Sequence, residues 1–252
     1  MKDTTPWPRP QDTDRVAGVA AVEAVFARRP DDVLRLFYVA ERRKEAGPLC
    51  KVMAAARKPY REVPPDELSR IAGTGHHGGI VAVALIKPVP ELGAPFPAEL
   101  LSQRVLPVLD GVGNPHNLGA IARSAAFFGC AGMLVSGDPR QAGLSDAAYR
   151  TAEGGLEHLS LFRVPNLPVA LRAMGPRFTT VAAVSKGGVA PEKLPRTKPF
   201  ALVLGNEEEG PTPPVVAACA QRVTLPGSGA VESLNVSVAA AVLIHALKSL
   251  SA

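Results

Sequence analysis

Apolar positions in the first third of the chain follow helix and strand periodicities in turn. Between residues 16 and 26, valines and a phenylalanine recur at three- and four-residue spacing, which predicts one face of a helix that begins near Arg15. The pattern then predicts a strand over 34–39, a helix over 48–57, a strand at Val63, a helix starting at Pro64-Pro65-Asp66 and an apolar run over 79–86. This alternation predicts a small α/β domain over residues 15–86.

Beyond residue 103 the alternation continues with strands that are apolar on both faces. Such strands, separated by helices, are typical of a parallel sheet that helices cover on both sides. The predicted strands are 105–109, 132–135, 159–164, 179–184, 201–204 and 222–225, and the predicted helices begin near Asn117, Asp146, Asn166, Pro213 and Ser233. Residues 104–252 are therefore predicted to form a second, larger α/β domain.

Two stretches lack this periodicity. Residues 1–14 contain three prolines, three threonines and three aspartates, with Trp7 as the only bulky apolar side chain, and this composition predicts a disordered tail. Residues 87–103 contain four prolines, which lack amide donors and hold a chain extended. We interpret them as the linker between the two domains.

Composition and charge narrow the class of protein. Of 252 residues, 46% are hydrophobic and 20% are charged, which excludes a wholly disordered chain, and the net charge of +5 favours a polyanionic partner. The three cysteines form no C-x-x-C pair, which argues against a zinc knuckle or a disulfide framework and for a reducing cytoplasm. The longest apolar runs, 80–86 and 236–244, are shorter than the roughly 18 residues of a membrane span.

Polar residues are concentrated in loops where predicted strands end, which is where open α/β sheets bind ligands. The first such loop follows residue 109, and there Asn117 is a natural N-cap for an otherwise apolar helix that carries Arg123. A buried arginine on this helix needs a partner because an unpaired charge is costly to desolvate. Either an internal salt bridge or a bound phosphate or oxyanion would supply that partner.

The second and third loops contain the remaining candidates. In Gly205-Asn206-Glu207-Glu208-Glu209-Gly210 the two outer glycines permit sharp turns, and we expect Glu207 to point inward. For Glu208 and Glu209, a solvated turn and a role in the site are equal alternatives. In the third loop, Ser233 and Asn235 stand at a helix start, where capping of free amides explains one of them but not both.

Two other patterns carry less information. His76 and His77 are adjacent, without helical spacing or nearby cysteines, so a polar turn explains them better than a metal site. The fragment Asp110-Gly-Val-Gly is similar to a Rossmann glycine loop but lacks the third glycine, so a Rossmann-type methyltransferase or dehydrogenase ranks last. No Ser-His-Asp grouping can be assembled from the scattered histidines.

Taken together, the three loops resemble the three motifs of the SpoU, or TrmH-type, ribose 2′-O-methyltransferases of the SPOUT superfamily. Motif one is matched by Asn117-Leu-Gly-Ala-Ile-Ala-Arg123, motif two by Leu204-Gly-Asn-Glu207 with Gly210, and motif three by Leu225-Pro226 with Ser233-Leu-Asn-Val-Ser237. Motif two departs from the usual pattern at Glu208, Glu209 and Pro211. Residues 15–86, with His77-Gly-Gly-Ile80 close to their C-terminal end, resemble the L30e-like substrate-binding domain that many members carry.

The resemblance implies a C-terminal trefoil knot whose loops bind S-adenosylmethionine, and a homodimer that forms through the knotted domain. By position, Gly205, Leu225 and Leu234 would contact the cofactor through main-chain groups, with Asn206 beside them. Arg123 matches the catalytic arginine, which would bind the target phosphate and stabilise developing oxyanion charge. The residues that would orient Arg123 and the ribose are Asn117, Glu207, Ser233 and Asn235. No metal is implied.

The implied reaction is methylation of a ribose 2′-hydroxyl in structured RNA, either ribosomal or transfer RNA. The basic residues predicted to contact phosphates are Arg28, Arg29, Arg42, Arg43, Lys44, Lys51, Arg57, Lys58 and Arg61. For any one of them, a solvated surface position is the alternative. The alternative function is a non-catalytic RNA-binding or ribosome-assembly factor that keeps the fold.

Overall fold

The computed structural model describes residues 12–249. The strands, in chain order, are β1 Thr13–Ala17, β2 Val33–Tyr38, β3 Tyr60–Glu62, β4 Ile80–Leu85, β5 Val105–Asp110, β6 Gly132–Ser136, β7 Ser160–Val164, β8 Thr179–Ala183, β9 Phe200–Gly205 and β10 Gln221–Val223. The helices are α1 Val19–Arg28, α2 Arg43–Ala55, α3 Pro65–Ala72, α4 Ala98–Ser102, α5 Pro115–Phe127, α6 Asp146–Ala152, α7 Leu167–Met174, α8 Pro213–Ala218 and α9 Val236–Ser249.

The chain forms two compact units. The first contains the described residues up to Lys87 together with Leu144–Glu157, and the second contains Pro88–Gly143 and the described residues from His158 onward. The first unit has a four-stranded sheet in the order β1-β4-β2-β3, in which β4 is antiparallel to both neighbours and β2 is parallel to β3. This small α/β unit agrees with the fold class predicted for the N-terminal part.

The second unit has a six-stranded sheet in the order β10-β8-β9-β5-β6-β7, and all of its pairings are parallel. The strands in the middle of this sheet are buried along their whole length because helices cover them on both faces. Alternate residues of β5 and β9 pack with α4, α7 and α8 in one hydrophobic core. The helices α5 and α9 pack on each other, and α9 also contacts β5 and β9. The predicted parallel α/β sheet is confirmed.

Several boundaries at the N-terminal end differ from those predicted, among them the strand expected at Val63, which ends at Glu62. Val16 lies in β1, so the helix begins at Val19 rather than near Arg15, because β4 offers this segment a strand partner that local periodicity does not reveal. Since β1 starts at Thr13, the predicted tail is too long at its C-terminal end, and residues 1–11 lie outside the described part. The helix α2 begins at Arg43, five residues before Pro48, which lies inside it.

The predicted linker and domain limits also differ from the structure. Residues 98–102 form the short helix α4, whose Leu100 is buried in the core of the second unit, so residues 87–103 are not extended throughout. The segment Leu144–Glu157 packs with the first unit although it follows β6 in sequence.

Buried charges join the segment Leu144–Glu157 to the rest of the first unit. The Glu157 side chain is fully buried and accepts hydrogen bonds from Nε and Nη2 of Arg29, both at 2.9 Å, and the Lys87 ammonium lies 3.6 Å from its Oε2. Arg29 is therefore part of a buried ion pair and not of the predicted RNA-contacting surface. Gly154 contacts α1 closely: a Cβ at this position would come within 2.9 Å of the Ala20 carbonyl oxygen.

Candidate active site at the carboxyl ends of β5 and β9

The first two motif loops are brought together by strand pairing. Because β5 and β9 are parallel neighbours, with Asp110 opposite Gly205, the loops that leave them emerge side by side. The buried Asp110 carboxylate also links the two loops, since its Oδ2 accepts hydrogen bonds from the backbone N–H of Thr212 at 2.7 Å and from its hydroxyl at 2.9 Å.

The Glu207 carboxylate lies at the junction of these loops. Its Oε1 accepts hydrogen bonds from Nδ2 of Asn117 at 2.8 Å and from the backbone N–H of Asn114 at 3.1 Å. Its Oε2 accepts one from the backbone N–H of Gly113 at 3.2 Å and a longer one from Nδ2 of Asn206 at 3.4 Å. The inward role predicted for Glu207 is thus to join the loops after β5 and β9. The Glu207 carboxylate and the groups hydrogen-bonded to it form the Glu207 junction.

These donors determine the protonation state of Glu207. Partial burial raises the pKa of its carboxyl, but the hydrogen bonds from Asn117, Asn114 and Gly113 outweigh burial and hold the pKa below its ordinary value. The carboxylate is therefore ionised at neutral pH and is already occupied as an acceptor. A group with a lowered pKa and bound donors is a poor general base, so Glu207 is suited to positioning.

Asn117 extends the network to the third loop. Its Oδ1 accepts a hydrogen bond from Nδ2 of Asn235 at 3.1 Å, while Oδ1 of Asn235 accepts from the backbone N–H of Ser237 at 2.8 Å and from its hydroxyl at 2.6 Å. Asn235 therefore caps α9 and binds Asn117 at the same time. The cap of α5 is Asn114, which accepts from the backbone N–H of His116, so the expectation that Asn117 is this N-cap is wrong. Asn117 is instead buried within the first turn.

Arg123 lies on α5 six residues beyond Asn117, or about 9 Å along the helix axis. The expectation that it is buried is wrong, because the apolar residues around it face the core and leave Arg123 on the exposed side of the helix. Because its side chain is exposed, Arg123 does not need an internal salt bridge to offset a cost of desolvation. An exposed guanidinium is accessible to an anion as large as an RNA phosphate.

The third loop places the remaining candidates apart from the Glu207 junction. Ser233 and Leu234 are both exposed, and the Ser233 hydroxyl makes no hydrogen bond to a described residue. Among the main-chain groups between residues 225 and 234, only the N–H of Ala230 has a described partner, the Ser228 hydroxyl, while the Glu232 side chain pairs with Lys186. Most main-chain donors and acceptors of this loop are thus available to a ligand.

Gly205 occupies the tightest point of motif two. A Cβ there would lie 1.9 Å from the Pro211 nitrogen and 2.0 Å from the Gly210 carbonyl carbon, so no other residue fits without displacing the backbone. Reciprocal backbone hydrogen bonds between Asn206 and Gly210, at 3.1 and 2.9 Å, close the turn. The sharp turn expected from the two glycines is present.

Two residues in the loop after β6 were not identified from the sequence. Gln141 binds both backbone groups of Val112, and Arg140 binds Glu209 at 2.6 Å. Glu209 is exposed, but it is ion-paired with Arg140 and not simply solvated. Nothing in the local sequence indicates these contacts, because they depend on how the loops after β5, β6 and β9 approach one another.

His77 has a structural role. The backbone N–H of Gly79 donates to its Nδ1 at 3.1 Å, so Nε2 carries the proton and donates to the Ser69 hydroxyl at 3.1 Å.

Within residues 12–249, no group of three or more His, Cys, Asp or Glu side chains could hold a metal ion. Over the same residues, no helix has both the length and the apolar character needed to cross a bilayer.

The predicted RNA-contacting surface contains both paired and unpaired cations. Besides Arg29, the paired residues are Arg42 with Glu45, Arg43 with Glu62, and Arg61 with Glu67, while Lys58 donates to the Asp31 carbonyl. Pairing reduces the net charge that these residues present to an anion. Lys44, Lys51 and Arg57, on or just after α2, are exposed and form no ion pair among the described residues.

Two family models match this chain. Residues 104–245 match the SpoU rRNA Methylase family, and residues 15–88 match the family described as RNA 2′-O ribose methyltransferase substrate binding. The two matches therefore lie one after the other along most of the sequence.

Individual proteins agree with these matches. The chain is 37% identical over 238 residues to YfiF of Escherichia coli, an uncharacterized tRNA/rRNA methyltransferase, and this alignment covers 91% of the chain and 66% of YfiF. It is 33% identical to the 23S rRNA (guanosine-2′-O-)-methyltransferase RlmB of Acinetobacter baylyi, with 90% of the chain and 94% of RlmB covered. The chain thus spans about two thirds of YfiF and nearly all of RlmB.

A solved structure gives the same result for the fold. The crystal structure of the SpoU methyltransferase AviRb from Streptomyces viridochromogenes, in complex with AdoMet, superposes with a TM-score of 0.75 at 26% identity. The superposition covers 95% of this chain and 91% of AviRb.

Proposed function

The chain belongs to the SpoU rRNA methylase family, and from this premise we propose that it transfers the methyl group of S-adenosylmethionine to a ribose 2′-hydroxyl in structured RNA. The observation that carries the proposal is the Glu207 junction, where side chains from all three motif loops form one hydrogen-bonded network. RlmB is named for guanosine 2′-O-methylation of 23S rRNA, and AviRb was solved with AdoMet. Ribosomal and transfer RNA are both substrate candidates for this chain.

The third loop fits S-adenosylmethionine chemically. An adenine edge presents both a donor and an acceptor, and the main-chain groups between Leu225 and Leu234 can pair with it because few are engaged within the protein. The exposed apolar side chains of Val231 and Leu234 are available to cover the ring. We assign Gly205, Leu225 and Leu234 to the cofactor through main-chain groups, with Asn206 beside them. When bound, S-adenosylmethionine supplies an electrophilic methyl group.

Arg123 acts on the RNA in this proposal. A ribose 2′-hydroxyl is a weak acid and needs help in losing its proton. A guanidinium is always protonated, so Arg123 cannot accept that proton. It instead binds the neighbouring phosphate, one of whose oxygens accepts the 2′-hydroxyl proton, and stabilises the negative charge that develops on the 2′-oxygen as the new O–CH3 bond forms and the methyl–sulfur bond breaks. Asn117, Glu207 and Asn235 position the loops, and we place Ser233 at the ribose because its hydroxyl is exposed and uncommitted.

Calorimetric titration with S-adenosylmethionine, followed by labelled-methyl transfer to separate ribosomal and transfer RNA fractions, tests the proposal. We expect saturable binding and label on a ribose 2′-oxygen. Asn235→Ala removes two hydrogen-bonding roles, the bond to Asn117 and the cap of α9, and at about 1 kcal/mol for each we expect roughly thirtyfold weaker cofactor binding. The absence of binding to the unmodified protein, even with RNA present, would support a non-catalytic RNA-binding or assembly factor.

Asn235→Asp is the matched control for helix capping. Aspartate keeps the acceptor for the Ser237 N–H but loses the donor to Asn117. We expect this variant to unfold at a higher temperature than Asn235→Ala, because the cap is kept, while it still binds the cofactor more weakly than the unmodified protein. Unchanged cofactor binding in both variants would remove Asn235 from the site.

We propose a homodimer through α5 and α9. Val238 and Val242 lie four residues apart on α9 and are 48% and 43% exposed, so they share one face, and Phe127 at the end of α5 is 82% exposed. Because α5 and α9 pack on each other, these side chains provide apolar surface on adjacent helices. This arrangement suits a second copy of the chain.

Charge on this surface is expected to separate the copies. With both Val238→Glu and Val242→Glu, two carboxylates would have to be buried at the interface, which is costly without partners. Sedimentation velocity should show the unmodified protein as a dimer and the double variant as a monomer. Val169→Glu, on α7 and 55% exposed, is the control and should remain dimeric. A double variant that stays dimeric would contradict the assignment of this surface.

We further propose that the C-terminal segment forms the trefoil knot. After β10 at the sheet edge, α9 returns to contact β9 and β5 in the middle of the sheet and the turn at Pro191–Lys193 in the β8–β9 connection. A return path past an earlier connection is what threading requires.

We also place the reaction in the cytoplasm, where RNA substrates are found and where free thiols such as those of the three cysteines persist.

A further inference from the structure

The loop after β6 fixes the backbone of the loop after β5 through one side chain. Nε2 of Gln141 donates to the Val112 carbonyl oxygen at 3.1 Å, and its Oε1 accepts from the Val112 N–H at 3.2 Å. The backbone N–H of Ala142 donates to the same Val112 carbonyl at 2.8 Å. Val112 thus has both of its backbone groups paired by this loop, as a neighbouring strand would pair them.

Val112 directly precedes the two amides that bind Glu207. Its own side chain is fully buried, and the next two residues, Gly113 and Asn114, donate their N–H groups to the Glu207 carboxylate. The Val112 carbonyl and the Gly113 N–H belong to one planar peptide unit, so a shift of Val112 moves the Gly113 donor directly, and the Asn114 donor follows through the Gly113 backbone. The Glu207 junction therefore depends on Gln141 although Gln141 does not contact Glu207.

Arg140 contributes a weaker connection. Its guanidinium binds Asp138 at 3.0 Å and Glu209 at 2.6 Å, but the three side chains are partly or largely exposed, and exposed ion pairs contribute little. The Gln141 hydrogen bonds are partly buried and involve two atoms of one residue, so they fix both position and orientation.

We propose that Gln141 is a positioning residue for methyl transfer. It holds Val112 so that the amides of Gly113 and Asn114 keep the Glu207 carboxylate in place. Glu207 in turn positions Asn117 and, through Asn117, Asn235. The inference rests on the proposed function, because it assigns Gln141 to the same site. Gln141 itself touches neither the RNA nor the cofactor in this proposal.

The test compares Gln141→Met and Gln141→Glu. Methionine keeps the length of the side chain and loses both hydrogen bonds, so we expect kcat to fall about tenfold while KM for RNA changes by less than about twofold. Glutamate keeps the acceptor but places a second oxygen against the carbonyls of Val112 and Ala142. At neutral pH it should be at least as impaired as the methionine variant.

A pH profile separates positioning from general damage. A carboxyl group that faces two carbonyl oxygens has a raised pKa, and once protonated it can donate to Val112. The activity of Gln141→Glu relative to Gln141→Met should therefore rise as pH falls from 8 to about 5.5. Gln221→Met, which replaces a glutamine that makes no side-chain hydrogen bond to a described residue, is the control and should match the unmodified protein.

Amide hydrogen exchange supplies a readout that needs no turnover. In Gln141→Met, exchange at Gly113 and Asn114 should be about tenfold faster than in the unmodified protein, while the melting temperature falls by only about 2–4 °C per kcal/mol lost with the two hydrogen bonds. An unchanged kcat with unchanged exchange at these amides, or a Glu-to-Met activity ratio that is flat with pH, would overturn the role of Gln141. Absence of methyl transfer by the unmodified protein would instead overturn the proposed function, and the exchange data would still decide the role of Gln141.

Discussion

Replacing Arg123 with alanine should lower the rate of methyl transfer by a factor on the order of 10² to 10³ and leave S-adenosylmethionine binding unchanged. The rate should fall because removal of one preorganised donor to a developing oxyanion typically has an effect of this size. Cofactor binding should survive because the proposed cofactor contacts come from the loops after β9 and β10, whereas Arg123 lies on the exposed side of α5. Single-turnover transfer to RNA and calorimetric titration measure the two quantities separately.

Two further variants make the result specific. Arg123→Lys keeps the charge but loses the planar pair of donors, so it should recover only part of the rate. Arg172→Ala removes an exposed arginine from α7 and should transfer methyl groups at the unmodified rate. Transfer by Arg123→Ala at the unmodified rate would exclude Arg123 from the mechanism.

Gly205→Ala should abolish measurable cofactor binding and destabilise the second unit. The added methyl group would lie 1.9 Å from the Pro211 nitrogen, so the Asn206–Gly210 turn would have to move and take Asn206 and Glu207 with it. Overpacking against backbone costs about 1–3 kcal/mol and sometimes more, and here no flexible side chain can yield. Titration with S-adenosylmethionine and urea unfolding measure the two losses.

Gly143→Ala is the matched control, because a Cβ at Gly143 would meet no atom within 4 Å. This variant should bind S-adenosylmethionine and unfold like the unmodified protein. If Gly205→Ala binds the cofactor with unchanged affinity, the motif-two turn is not part of the cofactor site.

The sheet of the second unit was predictable from the sequence because its strands are buried on both faces. Such strands appear as uninterrupted apolar runs, and the runs at 105–109 and 201–204 correspond to β5 and β9 with one or two residues added. The first helix was harder to predict. Val16 fits the helical spacing as well as the strand, and only its partner β4, more than sixty residues away, decides between them.

Within the site, residue types were predictable while their partners were not. The sequence selected Asn117, Glu207 and Asn235 as candidates, and the structure joins them in one hydrogen-bonded network, but whether Asn117 caps its helix depends on one residue, Asn114, that caps it instead. The burial expected for Arg123 failed because a helix rich in alanine looks apolar on every side. Gln141 carries no local signal at all, since its role arises only when β6 pairs beside β5.

The segment Leu144–Glu157 limits how this protein can be divided or recombined. The chain passes between its two units three times, at 87–88, 143–144 and 157–158, so neither unit is encoded by one continuous stretch. A fragment that starts at residue 88 would carry α6 without β1 and α1, and Tyr149, only 1% exposed in the whole protein, would face water. The first unit is therefore not a module that gene fusion could exchange with a single cut, and any viable chimera must exchange Leu144–Glu157 together with the residues up to Lys87.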